Sequence, residues 1–232
     1  LIAALFLAGL ALSPVHAGII FSDNFDSGAA PEWGNESGAW SDSGGVYRAT
    51  APDNFPNAFS SLPFDLTDFE LEVDVNDVND GGIWLRSAAA PGTSIGITGV
   101  LLVTRGDLPG GAGFYWHVVT NGNTYGDLFG LVTGIFNVGD DLRLRITVVG
   151  DTYSVYLNGS ATAATTLVSS AFASGRVALY DYNLLLSFDN VVLSSQTAVV
   201  PEPSSLFLAA CGLGGLLAAA CRDQFEKRSH SL

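Results

Sequence analysis

The sequence predicts an all-β body, a two-sheet antiparallel sandwich, flanked by one apolar helix at each end of the chain. Three observations carry this. The segments FELEVDVN (Phe69 to Asn76) and LRLRITVV (Leu142 to Val149) alternate apolar and polar residues, so a strand there has one core face and one wet face. Between Gly18 and Ser195 no stretch of a dozen residues carries helical periodicity. Strand-length runs recur instead between Gly, Asn, Asp and Pro clusters, the residues that turn a chain.

Taken in order, the candidate strands begin with Gly18 to Phe25 and Val46 to Ala51. In FELEVDVN, Phe69, Leu71, Val73 and Val75 face the core and Glu70, Glu72, Asp74 and Asn76 face water. Gly82 to Ser87, Gly99 to Arg105 and Gly113 to Thr120 follow. In LRLRITVV, Leu142, Leu144, Ile146 and Val148 oppose Arg143, Arg145 and Thr147. Gly150-Asp151 then turns the chain into Thr152-YSVYLNG, where Asn158-Gly159 supplies residues that tolerate φ > 0. Arg176 to Tyr180 and Leu186 to Ser194 close the series. Short strands at this spacing imply one sandwich domain, residues 18–197.

Composition removes much chemistry. The chain of 232 residues has a formal charge of -14 from 23 acidic and 9 basic residues. Residues 18–200 hold 20 of the acids and 6 arginines, so the charge belongs to the body. Such a surface repels phosphate backbones, which argues against nucleic acid as a partner. Cys211 and Cys221 lie near the C-terminus, Lys227 is the only lysine, and His117 is the only histidine of the body. The body therefore has no disulfide, thiol nucleophile, Schiff-base lysine or Cys/His zinc cage. Carboxylates, aromatic rings and arginines remain, which suit binding calcium or sugars, or cleaving glycosides.

The ends read as addresses. LIAALFLAGLAL (Leu1 to Leu12) followed by Ser13-Pro14-Val15-His16-Ala17 has the apolar core and small-residue cleavage site of a signal peptide, residues 1–17. At the other end, Pro201-Glu202-Pro203 leads into LFLAACGLGGLLAAAC (Leu206 to Cys221), then Arg222 and Lys227-Arg228. Those apolar residues make about 24 Å of helix against a hydrocarbon core of about 30 Å. Residues 204–221 are thus a short transmembrane segment within a sorting region of residues 198–232.

This order of Pro-Glu-Pro element, apolar span and basic finish resembles the PEP-CTERM sorting signal of bacterial envelope proteins, also known as an ice-binding-protein C-terminal domain. The resemblance implies that Pro201, Glu202, Pro203 and Arg222 are signal residues. It also implies a signal peptidase and an exosortase as processing enzymes, a membrane-held intermediate, and a final place at the cell surface or in the extracellular matrix. The strand succession FELEVDVN, NDGGIWLRS, LRLRITVVGDTYSVYLNG and LSFDNVVL is similar to the concanavalin A-like jelly roll, in particular its laminin-G-like and 3-keto-disaccharide hydrolase-like branches. That resemblance implies a structural calcium held by Asp189 of the last strand with Asp23 and Asn24 of the first.

Candidate site residues follow from these strands. Glu72-x-Asp74-x-x-Asp77 is similar to the E-x-D-x-x-E strand of retaining β-glucanases, in which same-face carboxyls act as acid and nucleophile. Glu72 and Asp74 share a face, but Asp77 falls on the other by parity, and an ordinary solvated face explains the same acids. Trp84 and Arg86 share a face of GGIWLRS, as do Tyr115 and His117 in GFYWHVV, with Phe114 and Trp116 opposite. A groove of Trp84, Arg86, Glu72 and His117 would hold a sugar ring against an aromatic face with polar groups beside it. The alternatives are a core tryptophan and a cross-strand ion pair for Arg86. Three functions stay open: a non-catalytic binder of extracellular polysaccharide, a glycoside hydrolase-like enzyme, and a structural matrix component. The imperfect carboxylate strand favours binding.

Overall fold

The computed structural model describes residues 18–196, and these are all-β, with no helix long and apolar enough to cross a membrane among them. The leader, the Pro201-Glu202-Pro203 element, Arg222 and the apolar span 204–221 lie outside the described residues. Fourteen strands form, in chain order. They are β1 (Gly18–Asp23), β2 (Trp40–Ser41), β3 (Arg48–Ala49), β4 (Ala58–Ser61), β5 (Phe69–Asn76), β6 (Gly81–Ala89) and β7 (Ile97–Arg105). Then come β8 (Gly113–Val119), β9 (Phe129–Thr133), β10 (Leu142–Val149), β11 (Thr152–Leu157), β12 (Thr165–Val168), β13 (Arg176–Asp181) and β14 (Ser187–Ser195).

Two six-stranded antiparallel sheets face each other. The first runs β1-β14-β5-β10-β11-β12, the second β4-β13-β6-β7-β8-β9, and β2-β3 is a small separate ribbon. In the first sheet the alternation predicted from sequence holds. Phe69, Leu71, Val73 and Val75 of β5 and Leu142, Leu144, Ile146 and Val148 of β10 are all buried in the main core. Their polar partners form ion pairs on the outer face, where Arg143 bridges Glu72 at 2.6 Å and Asp74 at 2.9 Å, and Arg145 reaches Glu70 at 3.2 Å. Asn158 and Gly159 take φ of 50° and 76°, as the turn residues there require.

The central strands of the second sheet are covered on both faces. Ile83, Leu85, Val100, Leu102, Phe114, Trp116, Val177 and Leu179 point to the main core. The intervening Trp84, Leu101, Val103, Tyr115, Ala178 and Tyr180 form a second buried cluster with Phe59, Ile95 and Ile97. A strand buried on both sides reads as a continuous apolar run, which is what GGIWL and VLLV are. The outer cover is made by loops that bond to one another: Asn57 N–H donates to Ile95 O at 2.9 Å, and Ile95 N–H to Gly122 O at 2.7 Å.

At the end of β13, Asp181 is fully buried and accepts from Ala49 N at 3.1 Å and Asn183 N at 2.9 Å. Burial pushes its carboxyl up to about 7. The folded state thus holds this proton more tightly than the unfolded chain, so the contribution is full below about pH 4 and is lost as pH rises through 7. Between pH 5 and pH 7 the loss is about 2 kcal/mol. Urea melts of the protein and of Asp181→Asn across that range should converge by about that amount as pH rises. A gap between the two that does not change with pH would contradict the assignment.

Candidate functional site

The cover over the second sheet leaves a recess on its outer face, a cavity of about 250 Å3. Strand residues Leu101, Val103, Tyr115, His117 and Tyr180 form its floor, and Asn54, Asp80, Arg105, Tyr125 and Tyr182 stand at its walls. The strands bring Tyr115, His117 and Tyr180 to one face by parity. The other residues come from strand ends and loops.

The walls are fixed by a chain of hydrogen bonds that begins in the buried layer. Trp84 Nε1 donates to Asn57 Oδ1 at 3.2 Å, and Asn57 Nδ2 donates to the Tyr125 hydroxyl at 2.6 Å. The Tyr125 and Tyr180 hydroxyls in turn donate to Asn54 Oδ1, the latter at 2.8 Å. His117 packs edge-on against Tyr115 at 5.2 Å between ring centroids and lies 5.1 Å from Tyr125. Its Nδ1 is 3.0 Å from the Asp127 carbonyl. A carbonyl only accepts, so Nδ1 carries the proton and Nε2 keeps a lone pair. Burial lowers the His117 pKa, against the opposing pull of that carbonyl, and the ring stays neutral at pH 7.

Burial raises the phenol pKa values as well, that of Tyr125 to about 12, with Tyr115 and Tyr180 also displaced upward. All three are un-ionised donors at neutral pH. Asp80 is the one carboxylate lining the cavity. What the recess offers is flat aromatic surface with fixed hydroxyl, imidazole, carboxylate and guanidinium groups at its edge, a set suited to holding a polyhydroxylated ligand.

The residues singled out from sequence do not assemble into one groove. His117 lines the cavity. Trp84 lies beneath the covering loops with no exposed surface and supports the cavity wall through Asn57. Arg86 is not on the same face as Trp84. The β6–β7 register shifts between Leu85 and Ala88, and Arg86 takes φ of 45°. This bulge breaks the parity on which the shared face depended. The Arg86 side chain instead ends among the Thr67, Phe172 and Gly150 carbonyls. Glu72 belongs to β5 of the other sheet and, with Asp74, is tied to Arg143. Asp77 lies beyond the end of β5, where its N–H donates to Asp141.

The proposed calcium ligands are engaged otherwise. Asp23 Oδ1 accepts from Phe25 N at 3.0 Å, and Oδ2 accepts from Ala30 N at 2.8 Å and Trp33 Nε1 at 2.9 Å. Asn24 bonds to Asp26, and Asp189 to the Asn190 N–H at 2.6 Å. Among the described residues no three acidic or histidine side chains converge to hold a metal ion. The open depression beside them, of about 590 Å3, is lined by Asp23, Asn24, Asp74, Arg143 and Asn190. There Arg143 and Asn190 already satisfy Asp74.

No protein-family model matches the chain, and no curated protein matches it in sequence. Solved structures do match. The carbohydrate binding module CBM66 from Bacillus subtilis has a TM-score of 0.53 at 20% identity, covering 71% of this chain and 96% of that one. The exoplasmic/lumenal domain of VIP36, in its Ca2+/Man3GlcNAc-bound form, gives 0.54 at 13% identity over 82% of this chain and 94% of that one. A Bacillus subtilis protein of unknown function with a galectin-like fold gives 0.54 at 10% identity over 78% of this chain and 97% of that one. The body has the jelly-roll fold of these structures. These jelly-roll matches agree with the two-sheet antiparallel arrangement.

Sequence reasoning missed Asp80, Arg105, Tyr125, Tyr180 and Tyr182 as site residues. The available signal was positional. Tyr125 sits in the turn-rich NGNTYGD, and Tyr180-Asp181-Tyr182 ends a strand, where a jelly roll gathers its loops.

Proposed function

We propose that the jelly-roll body binds saccharide, without catalysis, in the tyrosine-lined cavity on the outer face of the second sheet. The observation that carries this is the cavity itself: Tyr115, Tyr125, Tyr180 and Tyr182 around His117, Asp80 and Arg105, beside a buried cluster that fills the outer face of the central strands. Support comes from the structures of like fold, which include a carbohydrate binding module and a lumenal domain solved with a bound mannose-containing glycan. The pairing of Glu72 and Asp74 with Arg143, on the other sheet, supports binding over the hydrolase reading. The natural ligand in this reading is an extracellular polysaccharide. The protein carrying it is exported by its leader, held in the membrane by residues 204–221, cut by an exosortase near Pro201-Glu202-Pro203, and displayed at the cell surface or in the matrix. The leader and tail sequences support this route.

The test is a glycan array with the purified protein, followed by titration of the best ligand with Tyr182→Ala and His117→Ala. Tyr182 is 45% exposed, so its loss leaves the core intact. Each variant should weaken binding about tenfold, the scale of one stacking ring or one hydrogen-bond acceptor. An array with no hits, or hits indifferent to both substitutions, would overturn the proposal.

A further inference from the structure

Within the saccharide reading, on which this step rests, the charges at the cavity discriminate among sugars. Asp80 precedes β6, and its carbonyl accepts the Tyr182 N–H at 3.2 Å, which ties the two walls together. Its Oδ1 accepts from Gly106 N at 3.2 Å, and among the described residues its Oδ2 has no hydrogen-bond partner. Arg105, the one cation among the described residues lining the cavity, pairs with Asp107, its Nε at 2.5 Å and its Nη2 at 3.2 Å from that carboxylate, and its charge also bears on Asp80. His117 is neutral. Asp80 and Asp107 against Arg105 leave the cavity and its mouth with a net charge of about -1 among four tyrosines, and the body around it holds 20 acids, 6 arginines and no lysine.

Aromatic rings set around a carboxylate attract cations, because ring faces carry the negative end of the quadrupole. The surrounding field has the same sign and steers cations inward. A uronate or sulfate ester meets repulsion from Asp80 and competes with Asp107 for Arg105. A neutral sugar gains the hydroxyl contacts alone. We propose that the cavity selects sugar units bearing a free protonated amine, the ammonium pairing with Asp80 Oδ2 and the ring resting against the tyrosines.

Calorimetric titration of the purified protein with chito-oligosaccharides at low salt and pH 6 tests this, using a fully deacetylated oligomer, its N-acetylated form and a cello-oligomer of equal length. The deacetylated oligomer should bind about tenfold more tightly than either of the others, as expected for a partly desolvated cation beside aromatic rings and a carboxylate. Asp80→Asn, which keeps an acceptor for Gly106, should abolish that preference by bringing the deacetylated oligomer down to the affinity of the other two. Glu70→Gln, on the other sheet, should leave the preference intact. Equal affinity for all three oligomers overturns the amine selectivity and spares the saccharide reading. So does a preference that survives Asp80→Asn, since it then arises from the acidic surface at large. Failure of every sugar, here and on the array, overturns the saccharide reading itself.

Discussion

Arg86→Ala is expected to lower the stability of the protein by about 3–5 kcal/mol, the usual cost of breaking a buried, fully bonded charged group. The guanidinium is 3% exposed and has every edge in use. Nε and Nη2 donate to the Thr67 carbonyl at 3.0 and 2.6 Å, Nη2 also to Gly150 O at 2.7 Å, and Nη1 to Phe172 O at 2.8 Å. Its charge is balanced by Asp68 at 3.5 Å and by the Tyr153 ring at 5.4 Å. One side chain of β6 thus fastens the loop before β5, the β10–β11 turn and the loop before β13. Alanine leaves three carbonyls without donors and an unfilled space where the guanidinium lay. Arg86→Lys should recover little, because three donors on a flexible stem cannot reproduce a planar fork. Urea denaturation at neutral pH reads the effect. A loss below about 1 kcal/mol, the level of a surface ion pair, would show that the carbonyls are solvated and the clamp is not structural.

Trp84→Ala should cost a similar amount, about 3–5 kcal/mol, from the cavity left by a large buried ring. Trp84 has no exposed surface and lies in the layer between the second sheet and its covering loops. Its indole N–H holds Asn57, which holds Tyr125. Alanine therefore removes both the packing and the first link of the chain that sets the cavity wall. Sugar affinity should fall along with stability, even though the ring does not line the cavity. Trp84→Phe separates the two effects, since it keeps most of the volume and loses only the indole donor. Its melting temperature should lie well above that of the alanine variant. Equal destabilisation by both would place the energy in the hydrogen bond and not in the packing.

These two residues also show what the sequence could and could not reveal. Alternation specified β5 and β10 completely, because each has one wet face and a period of two. It also separated Tyr115 and His117 from Phe114 and Trp116 on β8, as the two clusters bear out. Parity states which face of a strand a residue occupies, not which sheet the strand joins. Hence Glu72 and Trp84 seemed able to meet. The bulge at Arg86 carries no glycine to announce it, so the shared face drawn for Trp84 and Arg86 had no local warning. The strands β4, β9 and β12 escaped notice because they are short edge strands with few alternating positions. The cavity was least legible of all. Asp80, Arg105, Tyr125 and Tyr182 lie far apart in sequence and converge only when loops cross the sheet.

Gly18 and Ser195 are register partners in the antiparallel pair β1–β14. Cα atoms so paired are about 5 Å apart. The body is thus entered and left through a single doorway, like a bead hung from both ends of one knot. Such a unit can be spliced into a loop of an unrelated host, or cut and rejoined in a new order, without disturbing its interior.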